Sequence, residues 1–341
     1  MPESLEELLV GAIERRRALL ERLHAEGTDC YRLFHGVAEG RPGLTIDRYG
    51  PVLLLQTWRE PLTPVEIGRF GQIVRETCGH DVTPVWNHRG PDRGAQLPYE
   101  GAGPVIESPE LDDAPIGAEL GLRYHVTPRH RGQDPLLFLD LRAGRRRVRD
   151  YARGKSVLNL FAYTGGVGLC ALKGGADEVW NVDFARSSLA WAEKNLVLNG
   201  FGGDRVRMVR EDVVPVLRQL AGLPVKGRGA QKRSFQSFEP RRFDLVVLDP
   251  PRWAKGPFGA IDIVRDYPSL LKPALLATAP GGSLFLTHNA ARVGREDWVA
   301  ILRRTAEKFG RPFASLELFE PEEDFPSLDG EPPLKLAWVS L

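Results

Sequence analysis

Cysteine is scarce in this chain: three residues in 341, Cys30, Cys78 and Cys170. They lie far apart and form no CxxC pair, which argues against a cysteine zinc site or a disulfide framework and fits a reducing compartment. An excess of either charge is missing too, with 46 Lys plus Arg against 45 Asp plus Glu. No global field therefore favours a polyanion, and any nucleic-acid surface has to be local. No apolar run approaches the roughly 20 residues that span a bilayer. The acidic start Met1-Pro2-Glu3-Ser4-Leu5-Glu6-Glu7 is unlike a signal peptide. These absences predict a soluble cytoplasmic protein with no membrane partner, long enough for two domains. Nothing in them sets an oligomeric state.

What is present is rhythm. Residues 3–26 place Leu5, Leu8, Leu9, Ile13, Leu19, Leu20 and Leu23 at helical spacing among charges. Strands are expected at 31–35, 52–58, 82–87 and 122–127, with a helix over 64–78 and Gly-Pro punctuation between them. This predicts an N-terminal helix (1–27) and a small α+β domain (28–130), with the boundary at Pro128–Pro135. Residues 131–341 then alternate. A helix over 136–151 precedes strands at 156–161, 178–183, 206–210, 243–249 and 283–287. Helices fall at 167–173, 186–199, 213–220, 266–278 and 296–309. Such alternation predicts a parallel α/β sheet with helices on both faces. Two last strands, 314–319 and 334–339, flank a Pro-rich loop and predict a terminal antiparallel hairpin. Residues 222–242 interrupt the pattern as a basic insertion.

In an open α/β sheet, ligands sit beyond the carboxyl ends of the strands. The first strand of the alternating part delivers Asn159, Phe161, Tyr163, Thr164, Gly165 and Gly166 there. Its glycine turn opens a helix whose amides suit a carboxylate. Asp183 ends the second strand, where it can accept two ribose hydroxyls. Asp212 follows the third, placed to accept from an adenine amino group, and Asp249 ends the fourth. A lone strand-end carboxylate is commonly a helix cap; three in succession after a glycine turn point to a nucleoside cofactor. Gly166-Val-Gly168-Leu-Cys-Ala171 matches the dinucleotide GxGxxA pattern, so a nicotinamide enzyme competes. Asp249-Pro250-Pro251-Arg252-Trp253 has no part in hydride chemistry. The prolines stiffen the strand exit, presenting a carboxylate and carbonyls to a base amine while Trp253 stacks on its ring. The reading is S-adenosylmethionine-dependent methyl transfer.

From about Tyr31 onward the chain resembles bacterial large-subunit (23S) rRNA methyltransferases, a family with cytosine-C5 and guanine-N7 branches. Pro42-Gly-Leu-Thr-Ile-Asp-Arg-Tyr-Gly50 looks like the C5 branch's Pro-Gly-Leu-Thr-Ile-Asp-Arg-Phe-Gly. Phe138-Leu-Asp140-Leu141-Arg142 is similar to the family's Phe-Leu-Asp-Gln/His-Arg, and Asn159–Gly166 and Asp249-Pro250-Pro251 match the shared motifs. The resemblance implies a Rossmann-like class I methyltransferase sheet, S-adenosylmethionine, and a ribosomal RNA partner. It adds Phe138, Asp140 and Arg142 to the cofactor contacts, and Phe184 and Ser187 from the segment Asp183–Asn199, which looks like the N7 branch.

Three departures matter. Only a helix stands where C5 members often carry an RNA-binding PUA domain, and Leu141 replaces a polar residue. The C5 branch places a nucleophilic cysteine after the fifth strand, where this chain reads Phe285-Leu-Thr287-His288-Asn289-Ala290. Cytosine C5 needs a thiolate added at C6, so C5 chemistry is disfavoured. Thr287-His288-Asn289 resembles the Ser-Asn-Asn of the N7 branch, with His288 and Asn289 meeting the base edge. A nitrogen target needs positioning rather than covalent catalysis. No metal is expected. RNA contacts are expected from the insertion (Lys226, Arg228, Lys232, Arg233, Arg241 and Arg242, with Phe235 and Phe238) and from Arg142, Arg145, Arg146, Arg147 and Arg149. The alternatives are a C5 enzyme using Cys170, a methyltransferase acting on a protein amide or small molecule, and a cofactor-binding assembly factor without turnover.

Overall fold

The computed structural model describes residues 4–90, 114–127, 135–225 and 234–341. Residues 128–134 of the expected boundary, and Lys226, Arg228, Lys232 and Arg233, lie outside them. The chain divides into two compact units. One is Met1–Arg142 with Glu322–Leu328; the other is Ala143–Pro321 with Asp329–Leu341.

In the first unit, α1 (Leu5–Arg15) starts at a Ser4–Glu7 capping box. The expected single N-terminal helix is two, because α2 (Arg17–Ala25) begins after Arg16 leaves helical geometry at ψ 1°. The Arg16 guanidinium is buried, donating to the Ala12 carbonyl at 3.1 Å and pairing with Glu39 at 2.8 Å. Strands β1 (Cys30–Phe34), β2 (Leu44–Tyr49) and β3 (Val52–Thr57) pair antiparallel in sequence. Helix α3 (Pro64–Cys78) then crosses over to β4 (Thr83–His88), parallel to β3. Thr63 with Glu66 and Pro64 start α3, and Gly79 at φ 69° stops it. Leu9, Ile13, Leu33, Leu53 and Phe70 share the core between helices and sheet. A second hairpin joins β5 (Ile116–Glu119) to β6 (Leu122–His125).

The second unit follows the alternation read from the sequence. It runs α4 (Arg142–Tyr151), β7 (Ser156–Leu160), α5 (Gly166–Lys173), β8 (Glu178–Asp183), α6 (Arg186–Leu198), β9 (Val206–Arg210), α7 (Val213–Leu220) and β10 (Phe243–Leu248). A hairpin of β11 (Trp253–Gly256) and β12 (Gly259–Asp262), not foreseen, precedes α8 (Ile263–Ala277), β13 (Thr278–His288) and α9 (Arg295–Lys308). The chain closes with β14 (Ser315–Phe319) and β15 (Lys335–Ser340). The sheet order is β14-β15-β13-β10-β7-β8-β9. Strands β7, β8, β9, β10 and β13 are parallel, and β15 runs antiparallel to both β13 and β14. The expected Rossmann-like sheet with its terminal antiparallel hairpin is therefore observed. Strands covered on both faces read as nearly continuous apolar runs, as Phe243-Asp-Leu-Val-Val-Leu248 does. The order reverses between β7 and β10, the place where such sheets open a ligand crevice.

Candidate active site

Four strand exits of the second unit gather most of the expected residues. After Leu160 the chain leaves β7 through Phe161 and Tyr163, both left-handed at φ 59° and 49°. Non-glycine residues held there cost roughly 1–3 kcal/mol each and cluster at ligand sites. Gly165, at φ 76°, caps α5 and leaves the amides of its first turn pointing out of the sheet. Asn159 and Thr164 are buried. The Asn159 side-chain amide donates to Asn181 Oδ1 at 2.8 Å, and the Thr164 carbonyl accepts from Asn195 at 3.2 Å. These two bonds brace the turn from β8 and α6. A Cβ at Gly168 would lie 2.3 Å from Asn181 Oδ1, so the first helical turn sits directly on β8.

Asp183 ends β8 and accepts from the backbone amides of Tyr163 (2.9 Å) and Ala185 (2.8 Å). Burial pushes its pKa up, against the lowering effect of the Ala185, Tyr163 and Phe184 amides. A buried carboxylate held in place by backbone amides keeps acceptor capacity for neutral hydroxyl donors. Phe184 and Ser187, just beyond it, are exposed. Asp212 caps α7 through the Val214 amide at 2.9 Å. Its other oxygen accepts from the Phe258 amide at 3.0 Å, at the tip of the β11–β12 hairpin. The capping role and the site role thus fall on one carboxylate.

Asp249 follows β10, and the Thr287 hydroxyl donates to its Oδ1. Pro250 is buried, Pro251 half-buried, and Trp253 opens β11 with 61% of its surface exposed. Asn289 is exposed beyond β13. His288 differs from expectation. It is buried, packed against Tyr267 and Trp298 with Nδ1 3.3 Å from the Ala290 amide, and burial lowers its pKa to about 4. Its ring presents no open edge to a base, so any base contact from this turn passes to Asn289.

Other expectations meet different surroundings. Phe138, Asp140 and Arg142 belong to the first unit. Phe138 is exposed, but Arg142 is wholly buried, donating to Glu322 (2.7 Å), Asp324 and the Cys30 carbonyl (2.9 Å). That guanidinium pins the segment Glu322–Leu328 and has no face left for a cofactor. Along α4, Arg145 is buried, Arg147 pairs with Glu317 and lies over Trp338, and Arg149 pairs with Asp150. Phe238 is no stacking platform: it is 8% exposed, packed beside Trp180. Arg241 pairs with Glu178. Among residues given no role of their own from sequence, Asn181, Thr287 (named only as the start of its motif) and Phe258 support the site. Asn181 carried a signal, a polar residue two before Asp183 on the same face of an otherwise apolar strand.

The fold and these exits define a methyltransferase-type nucleoside site. The model of the S-adenosylmethionine-dependent methyltransferases matches residues 31–338, and the chain belongs to that family. Its cofactor is therefore S-adenosylmethionine, and the nicotinamide reading of the glycine pattern falls. The chain is 33% identical over 309 residues to a Deinococcus radiodurans ribosomal RNA large subunit methyltransferase, covering 90% of this chain and 71% of the relative. It is 30% identical over 318 residues to ribosomal RNA large subunit methyltransferase I of Aeromonas hydrophila, covering 92% and 74%. A SAM-dependent methyltransferase structure from Agrobacterium tumefaciens superposes with TM-score 0.61 at 20% identity, over 92% of this chain and 90% of that one. A Streptococcus mutans protein assigned to the SAM-dependent methyltransferases gives 0.75 at 21%, over 100% and 83%. These two likenesses show the fold. No helix among the described residues is long and apolar enough to cross a membrane.

Proposed function

We propose that this chain methylates a base of large-subunit ribosomal RNA at a nitrogen, in the cytoplasm, without a covalent enzyme intermediate. The names of the Deinococcus and Aeromonas relatives support the RNA substrate. The observation that carries the chemistry is the exit of β10, where Asp249 is held by Thr287 four residues before the exposed Trp253.

In this reading the amides of the Gly165–Gly166 turn hold the methionine carboxylate, Asp183 the ribose and Asp212 the adenine amino group. The bound cofactor supplies an electrophilic methyl group on sulfur. Asp249 and the Pro250 carbonyl accept from donors on the target base, and the two prolines keep those acceptors from swinging. Trp253 stacks on the base plane, and Asn289 meets its edge. A base nitrogen brings its own lone pair, so holding it in line supplies most of the acceleration.

Cytosine C5 would need a thiolate beside Asp249. The Thr287 hydroxyl donates to Asp249, while Cys170 is buried in α5. Cys30 and Cys78 belong to the first unit, and burial pushes the Cys30 thiol well up. The test is tritium transfer from labelled S-adenosylmethionine to RNA and ribosomal particles of a deletion strain, with Asp249→Ala beside the wild type. Label in an N-methyl nucleoside, lost with Asp249→Ala, is expected. Label in 5-methylcytidine overturns the nitrogen target, and label only in protein or metabolites overturns the RNA substrate.

A further inference from the structure

On the helical face of the second unit, a groove of about 370 Å³ runs between α8 and α9, and Arg218 of α7 reaches its wall. Four of its eight lining residues are cations: Arg218, Lys272, Arg304 and Lys308. Among the described residues, no carboxylate lies within ion-pair distance of any of the four, although α9 itself carries Glu296, Asp297 and Glu307. Phe309 forms part of the wall, with Lys272 Nζ 4.3 Å and Lys308 Nζ 5.8 Å from its ring centre. Further along the chain from α9, Arg311 feels Arg242, which with burial lowers its pKa.

Two of these cations have a local explanation. Arg218 and Lys308 lie in the last turns of α7 and α9, where positive charge suits the helix dipole. Lys272 and Arg304 each sit inside a helix, Lys272 with its ammonium over the Phe309 ring, so Arg304 is the one that neither a helix end nor a ring accounts for among the described residues. Arg304 and Lys308 are also four residues apart on one exposed face, a like-charge spacing that costs the helix some stability. Arg218 donates to the Pro224 carbonyl at 2.8 Å, but among the described residues none of the four cations has a carboxylate partner, and four such charges from three helices in one groove present a pattern suited to a run of phosphates.

We propose that this groove binds the phosphate backbone of the RNA substrate, away from the nucleotide being methylated; this rests on the RNA reading above. The distance follows from topology. Helices α7 and α9 start near the carboxyl ends of the strands and run back, so Arg218, Arg304 and Lys308 lie roughly 8–20 Å down the helices from their starts at 1.5 Å per residue. The groove therefore grips flanking RNA, while Asp249 and Trp253 handle the base. Because the near-neutral chain has no global field, this patch supplies local attraction that the net charge conceals.

The experiment compares wild type, Arg304→Gln/Lys308→Gln and Lys272→Gln, using a transcript of large-subunit ribosomal RNA. RNA affinity is measured by anisotropy across a salt series, alongside cofactor affinity, thermal melting, and kcat and KM for methyl transfer. Loss of two phosphate contacts should lower the slope of log K against log salt by roughly 1.4–1.8 and weaken RNA binding about three- to tenfold near 0.15 M salt. The KM for RNA should rise, with kcat and cofactor affinity unchanged and melting not lowered. Variants that melt like wild type and keep its RNA affinity, salt slope and KM overturn the groove, while leaving the functional reading intact. A wild type that neither binds nor labels RNA overturns the functional reading, and this one with it.

Discussion

The strand exits and the helical groove of the second unit both concentrate charge, and they treat it in opposite ways. At the exits Asp183 and Asp212 are buried, each held by two backbone amides, and the Asp249 carboxylate is held by Thr287. In the groove Arg304 and Lys308 are exposed, and among the described residues no carboxylate pairs with them. The difference matches two kinds of ligand. A small cofactor needs acceptors fixed before it arrives, because each loose side chain adds ordering entropy to binding. A polyanion is bound by counterion release, which tolerates mobile cations on long stems. Damage at the exits should thus reach cofactor binding and chemistry, and damage in the groove should reach RNA alone.

The largest break in that contrast comes from Asp183→Ala. Removing a charged acceptor shared by two hydroxyls should weaken S-adenosylmethionine binding by about 2–3 kcal/mol, or roughly 30–150-fold. RNA affinity should stay within about twofold. Calorimetry with the cofactor and anisotropy with RNA check the two halves, and equal losses in both would erase the distinction drawn here.

Acid should reproduce part of this loss in the unmodified protein. Burial raises the Asp183 pKa, so on acidification the native protein takes up this proton before the unfolded chain does. The Asp183 contribution to native stability therefore improves as pH falls through that window, while cofactor affinity is lost over the same window. Cofactor titrations between about pH 4 and 7 should find affinity declining from above the ordinary aspartate range. A decline that begins only at the ordinary aspartate value would refute the effect of burial.

A smaller effect is expected from Gly168→Ala. The added methyl would meet Asn181 Oδ1 at 2.3 Å, so the buried Asn181 amide, with its bond to Asn159, or α5 itself must shift. Overpacking of this kind costs about 1–3 kcal/mol, visible as a lower Tm. Because α5 carries the amides proposed to hold the cofactor, its affinity should drop with the Tm, whereas the groove's salt slope should not move.

The two regions also differ in how readable they are from sequence. Strand-end carboxylates announce themselves because an apolar run, an acidic residue and a glycine turn are adjacent in the chain. The groove does not, since its cations are separated by up to ninety residues and meet only when α7, α8 and α9 pack. The dense run Arg145-Arg-Arg147 drew attention instead, yet Arg145 is buried and Arg147 pairs with Glu317 beside Trp338. Density of charge along the chain says little about freedom of charge in space. Phe238 is a similar case: in the irregular segment before β10, it packs against Trp180 of β8. The β11–β12 hairpin has short arms of weak strand propensity, and its tip is held by Asp212, a contact invisible to local pattern. Strand β2 hid behind polar Asp47, whose buried charge makes sense only once Arg32 of β1 is beside it at 2.7 Å. The alternation of the second unit was legible because buried strands and amphipathic helices carry distinct local periods.

The smallest predicted effect separates the regions by sign. Arg304→Gln/Lys308→Gln removes a like-charge pair at helical spacing and breaks no ion pair found among the described residues. Its stability should rise by about 0.2–0.5 kcal/mol, and the gain should shrink in high salt. Substitutions at the exits lower stability or leave buried amides without acceptors. Melting in low and high salt measures this directly. A loss of stability in the double variant would mean that the cations serve the fold, and a gain would mean that the protein keeps unfavourable charge in the groove for a ligand outside itself.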